Sequence, residues 1–87
     1  MWTPRARRDR DSIHARIARD NPAHAYAVVT AIVTAINRLA DFPLLGRLGR
    51  KAGTRDLVLA RFPYVVLYRV RDDRVEILHI QHMARNR

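Results

Sequence analysis

An α+β fold is expected from the sequence: an N-terminal helical hairpin packed on a three- to four-stranded antiparallel sheet. Two segments with helical apolar spacing, each opened by a cap residue and a proline, fill the first half. From Arg55 the apolar period changes to two, in runs dense in Val, Leu, Ile and Tyr. The pair Asp72–Asp73 then separates two such runs by the length of a tight hairpin turn. With 87 residues, 48% of them hydrophobic, the chain suits one domain spanning residues 1–87 with one modest core.

Thr3 and Pro4 open the first helix, because the Thr hydroxyl can accept an orphan helix N–H and proline's missing donor costs nothing there. Its apolar face is thin: Ala6, Ile13 and Ile17, with Arg10 at a position where a packed helix would carry an aliphatic residue. Asn21 and Pro22 repeat the cap signal, and Ala25, Val28, Val29, Ile32, Ile36 and Leu39 mark an amphipathic second helix. Asp41, Phe42 and Pro43 end it, since proline disfavours helical geometry in the residue before it. Residues Leu44 to Thr54 hold all three glycines with Arg47, Arg50 and Lys51, and read as a basic loop. Strands are expected over Asp56–Arg61, Tyr64–Arg71 and Arg74–His82, with Phe62–Pro63 interrupting the first pair. The Asp72–Asp73 turn sets a register in which Tyr68 faces Ile77, Val70 faces Val75, and Arg69 faces Glu76 as an ion pair. Met1 and Trp2 are the stub of a further strand.

The formal charge is +9, from 17 basic residues against 8 acidic ones, and every basic residue but Lys51 is an arginine. Forked guanidinium groups of this kind suit an anionic partner, either a nucleic-acid surface or an acidic protein segment. The chain has no cysteine, which removes disulfides, thiolate metal sites and a thiol nucleophile and points to a reducing compartment, the cytoplasm. No apolar run approaches the roughly 20 residues of a membrane span, so no membrane partner is expected.

Candidate chemistry is sparse. Arg19 and His24 have the spacing of a basic ribonuclease dyad, but Asn21–Pro22 places a helix start between them. His79 and His82 sit three apart on a strand, on opposite faces, and cannot share a metal; no metal or other cofactor is expected. Gly46, Gly49 and Gly53 lack the Gly-Lys-Ser/Thr ending of a phosphate loop. Glu76, His79, His82, Tyr64 and Tyr68 are the groups that could serve acid–base cleavage of RNA, while both tyrosines alternate with Val66 and Val70 and fit a buried sheet face.

Taken in order, these pieces resemble the RelE/ParE superfamily of type II toxin–antitoxin toxins. Trp2-Thr3-Pro4-Arg5-Ala6 with Asp9, Ile13 and Ile17 is similar to the family's opening and first helix. Asn21-Pro22 and Ala25 resemble the start of its second helix, and Leu39, Phe42-Pro43 and Gly46-Arg47 the exit and loop. Gly53-Thr54-Arg55-Asp56-Leu57 is similar to its Thr-Arg-Glu-Leu signature, Pro63 to Val70 to the strand that follows, and Val75 to His82 with Arg85 to its closing strand. The resemblance implies a small growth-inhibiting, plasmid-stabilising toxin, held inactive by a cognate antitoxin. Two targets come with it: DNA gyrase, inhibited by binding in the ParE branch, or ribosome-bound messenger RNA, cut by the endonucleases of the RelE branch. The nuclease branch commonly carries a catalytic Arg where Val65 stands here, and the Phe-Pro, Gly-Arg and Pro-Tyr pieces sit better with ParE. Gyrase is therefore the expected target, ribosome and messenger RNA the alternative, and no catalytic residue is assigned. A binding poison needs exposed donors that meet several anionic or carbonyl groups at once, which singles out Arg47, Arg50, Lys51, Arg55, Arg85 and Arg87. The antitoxin is expected to lay an acidic amphipathic segment over the helical hairpin and the open sheet face.

Overall fold

A computed structural model describes residues 1–85, so Arg87, one of the expected target-binding residues, lies outside the described part. Helix α1 spans Pro4–Ala18 and α2 spans Pro22–Arg38. Four strands follow: β1 Arg47–Leu48, β2 Arg55–Val58, β3 Tyr64–Arg71 and β4 Arg74–His82, then a short 3-10 turn Met83–Arg85. They form one antiparallel sheet in the order β1-β2-β3-β4. Among the described residues no helix is long and apolar enough to cross a membrane.

Both helix starts are built as their sequences dictate. Thr3 Oγ1 accepts from Ala6 N at 3.2 Å, and Asn21 Oδ1 accepts from His24 N at 3.0 Å, each satisfying one orphan amide ahead of a first-turn proline. The same Thr3 hydroxyl donates to Ile77 O at 2.7 Å, so one side chain ties the start of α1 to β4. The Met1–Trp2 stub does join the sheet, bridging parallel to Ile77 along the outer edge of β4. Further along that edge Asp9 accepts from the Ile80 amide at 3.0 Å and contacts His79 Nδ1 at 2.6 Å. The edge is thereby closed to further strand pairing.

The core lies between the helical hairpin and the inner sheet face. Val28, Ile32, Ile36 and Leu39 meet Tyr64, Val66, Tyr68, Ile77 and Ile80, all buried. Arg10 occupies its inward position because its guanidinium lies 5.2 Å from the centre of the Trp2 ring, where the cation meets the π face and the stem covers apolar surface.

The β3–β4 register is the expected one, with Tyr68 against Ile77, Arg69 against Glu76 and Val70 against Val75. Asp72 and Asp73 both have positive φ, 53° and 60°, as a two-residue turn between right-twisted strands requires. Three boundaries differ. The second helix stops at Arg38, three residues before Asp41, because the amides of Leu39, Ala40 and Asp41 donate to carbonyls three residues back, at Ile36, Asn37 and Arg38, tightening the chain ahead of Pro43. The stretch expected as a loop contains β1, whose two exposed residues leave no periodic signature. Strand β2 begins one residue early, at Arg55, and ends at Val58, since Leu59 to Pro63 curl into the turn that leads to β3.

Candidate functional site

A groove of about 550 Å³ lies between α2 and β2. One wall is a ladder of small side chains on the outer side of α2, Ala27, Thr30, Ala31, Thr34 and Ala35, at the spacing of helical neighbours. The floor is Leu57 to Ala60. Small residues keep the wall low enough for another backbone to approach, while Tyr26, Leu45 and Val58 expose apolar surface at the margins, Tyr26 72% of its own. The charged lining residues are Arg38 and Arg61; no carboxylate lines the groove. Strand β1 pairs only with Arg55 and Asp56, so the outer edge of β2 at Leu57 and Val58 has no strand partner among the described residues. A bound segment can fill the groove and extend the sheet together.

Four of the expected target-binding residues lie on the β1–β2 hairpin, at the end of the sheet that also holds the Asp72–Asp73 turn. Arg47, Arg50 and Lys51 are exposed. Their turn is fixed by Thr54, whose hydroxyl donates to Lys51 O at 2.7 Å, and by Gly53, whose φ of +80° is the left-handed backbone glycine favours. Arg71 and Arg74 flank the exposed Asp72–Asp73 turn at this end, so cations and carboxylates are mixed there. Arg55 differs: its Nη1 turns inward and donates to Gly46 O at 2.8 Å, holding the loop that precedes β1. Arg85 lies in the 3-10 turn beyond His82, which pairs with Tyr64 at the far end of β3. Eight strand residues at about 3.3 Å each put Arg85 on the order of 20 Å from the hairpin tip. The structure does not bring Arg85 and the loop together.

The candidate acid–base groups are dispersed. Tyr68 is fully buried; its hydroxyl accepts from Gly46 N and donates to Pro43 O, each at 2.8 Å. Gly46 must be glycine for this contact, as a Cβ there would stand 2.7 Å from Tyr68 Cε1. On the outer face Glu76 is held below its ordinary carboxylate pKa, first by the hydrogen bond from Arg69 Nε. His79 is engaged by Asp9, and Val65 is 4% exposed between Val58 and Gln81 on the neighbouring strands. His82 and Tyr64 pack edge to face, 5.1 Å between ring centres, on the helix side of the sheet. Arg19 is exposed at the C-cap of α1; it is Arg16 that shares a pocket with His24. Among the described residues no three His, Asp or Glu side chains cluster as a metal site would need.

The sequence offered signals for the groove: Ala27, Ala31 and Ala35 at intervals of four beside the aliphatic stripe. Arg55's inward turn had none, because its acceptor is a backbone carbonyl.

The family model for the ParE toxin of type II toxin–antitoxin systems, parDE, matches residues 1–87. A protein of Sinorhizobium fredii strain NGR234 described as a candidate toxin, Y4kP, is 49% identical over 81 residues, covering 93% of this chain and 83% of that one. Toxin RelE2 of Caulobacter vibrioides is 39% identical over 85 residues, covering 98% and 94%. A solved chain of the chromosomal ParDE system from P. aeruginosa superposes with a TM-score of 0.86 at 30% identity, over 93% of this chain and 90% of that one. With two helices on a four-stranded antiparallel sheet and a family match from first residue to last, the chain belongs to the ParE toxins of type II toxin–antitoxin systems, and a cognate antitoxin is its partner.

Proposed function

We propose that this toxin acts in the cytoplasm by binding and inhibiting DNA gyrase, without chemistry of its own. The observation that carries the reading is Val65: a buried aliphatic stands near the start of the inner strand β3, at the position where the nuclease branch commonly carries a catalytic Arg for developing phosphate charge. Support also comes from the dispersed acid–base groups, since His79 is committed to Asp9 and Glu76 to Arg69. The exposed cations of the β1–β2 hairpin, Arg47, Arg50 and Lys51, are the proposed gyrase contacts, with Arg85 as a separate contact at the other end. The antitoxin's acidic amphipathic segment is assigned to the α2–β2 groove, where its apolar side meets the alanine ladder and its carboxylates meet Arg38 and Arg61.

Expression of the gene without its antitoxin tests the target. Filamentation with double-strand DNA breaks is the expected result, and transcript cleavage within ribosome-bound codons would overturn it. The combined Arg50→Ala, Lys51→Ala, Arg85→Ala variant is expected to lose toxicity while keeping antitoxin binding, and folded His82→Ala to stay toxic. The alternative, ribosome-dependent messenger RNA cleavage, draws on the similarity to the relative named toxin RelE2. It requires His82→Ala alone to abolish growth inhibition, since losing one acid or base typically costs about 10²-fold in rate.

A further inference from the structure

A second concavity, of about 250 Å³, lies on the helix side of the sheet, at the end opposite the β1–β2 hairpin tip. The end of α1 contributes Arg16 and Ile17, the start of α2 His24 and Val28, the β2–β3 turn Phe62 and Pro63, and the paired strand ends Tyr64 and His82. Its polar groups are rich in open donors. Arg16 Nη2 donates to the Tyr64 hydroxyl at 3.3 Å, so that oxygen already accepts and keeps its own proton to donate. The Ala84 amide donates to His82 Nδ1 at 3.1 Å, which places the proton of the neutral imidazole on Nε2. Neither the Tyr64 O–H nor the His82 Nε2–H has an acceptor among the described residues, and the His24 ring has no hydrogen-bond partner there. His24 instead stands edge-on to Phe62, 5.6 Å between ring centres. No carboxylate lines the pocket. A guanidinium, a phenol and two imidazoles converge on a site walled by Ile17, Val28 and Phe62.

We infer that this pocket binds a phosphate group, either free or carried by a nucleotide. The remaining N–H groups of Arg16, the Tyr64 O–H and the His82 Nε2–H, with a ring N–H that His24 can turn toward them, are the complement of an oxyanion, and a guanidinium beside a phenol supplies charge-assisted hydrogen bonds to it. The inference is independent of the target reading, because no residue of the pocket belongs to the proposed gyrase contacts.

The test is a titration of the full chain with inorganic phosphate, adenosine 5′-monophosphate and adenosine, at fixed pH and ionic strength balanced with chloride. The imidazole nitrogen and proton shifts of His24 and His82 report the pocket, and those of exposed His14 serve as reference. Expected are saturable shifts at His24 and His82 but not His14 with the two phosphate ligands, and none with adenosine. Arg16→Gln, at an exposed position, should weaken binding about tenfold, and Tyr64→Phe, which keeps the ring, severalfold. Arg50→Gln should leave it unchanged. Equal affinity for the two phosphate ligands identifies the bare phosphate as what is read, and tighter binding of the monophosphate identifies a nucleotide; both support the site. Absence of shifts, equal shifts at His14, or equal weakening by Arg50→Gln would overturn it, the last two because they report only diffuse attraction to a basic protein.

Discussion

The two sides of α2 are made from one run of 17 residues, yet they do different work. Val28, Ile32 and Ile36 face the sheet and are buried, whereas Ala27, Thr30 and Thr34 face outward over the groove and are exposed. The inner side is finished: its aliphatics fill the volume between helix and sheet, and a change of size there is felt at once. The outer side is unfinished. Side chains this small leave part of the groove floor at Val58 and Ala60 uncovered, where the antitoxin segment is proposed to lie. On that proposal, fold stability and partner affinity are written on the same helix, separated by about half a turn.

The largest effect that bears on this division is Ile32→Ala. The side chain is fully buried, so its removal should cost about 2–5 kcal/mol in denaturant unfolding, from lost transfer energy plus the cavity left behind. If the cost were below about 1 kcal/mol, the inner side would be no more closed than the outer.

Next comes Tyr68→Phe, which probes how the inner side is joined to the loop before β1. The phenol oxygen serves both Gly46 N and Pro43 O, so deleting it strands a donor and an acceptor at a cost of about 1–3 kcal/mol, without altering the ring's packing. Thermal unfolding of the variant measures it. Toxicity should fall only as far as the folded fraction falls, since the Tyr68 hydroxyl is buried away from any partner.

On the outer side the expectation reverses. Thr34→Arg puts a long cation on an exposed position of the groove wall, so stability should stay within about 0.5 kcal/mol. Antitoxin affinity should fall at least tenfold in a calorimetric titration, because the segment can no longer lie against the helix. A variant that binds antitoxin normally would remove the groove from the interface and leave the open sheet face as its seat.

Much of the inner side was legible in the sequence because it is periodic or local. Asn21–Pro22 capped α2, the period of two gave β3 and β4, and Asp72–Asp73 set a register that Arg69 and Glu76 keep. What escaped notice is non-local. Strand β1 has two residues and no buried side chain. The inward Arg55 and the Trp2 ring under Arg10 depend on chain segments meeting in space. The groove needed β2 to lie opposite the alanine ladder, a placement that residue spacing on one helix does not specify.

The smallest expected effect asks whether contacts on the sheet's outer face hold the fold as the inner ones do. Arg69 Nε donates to Glu76, the one charged cross-strand pair foreseen from the turn, and both side chains keep contact with water. The bond lowers the Glu76 pKa from its ordinary 4.5, with burial opposing and the charges of Arg69 and Arg71 assisting. In the unfolded chain the carboxyl protonates near its ordinary value, so on acidification the unfolded state takes up its proton first. The stabilisation is therefore fully present above the ordinary value and is lost as the pH falls through the lowered one. Glu76→Gln should leave a stability difference from the parent that is flat near neutral pH and shrinks below pH 4.5, measured as denaturant midpoints across the acid range. Screening by water and salt keeps such a pair weak, so the difference should stay well below those of Ile32→Ala and Tyr68→Phe. A loss as large as theirs, persisting at high salt, would mean that the outer face carries the fold as fully as the inner one.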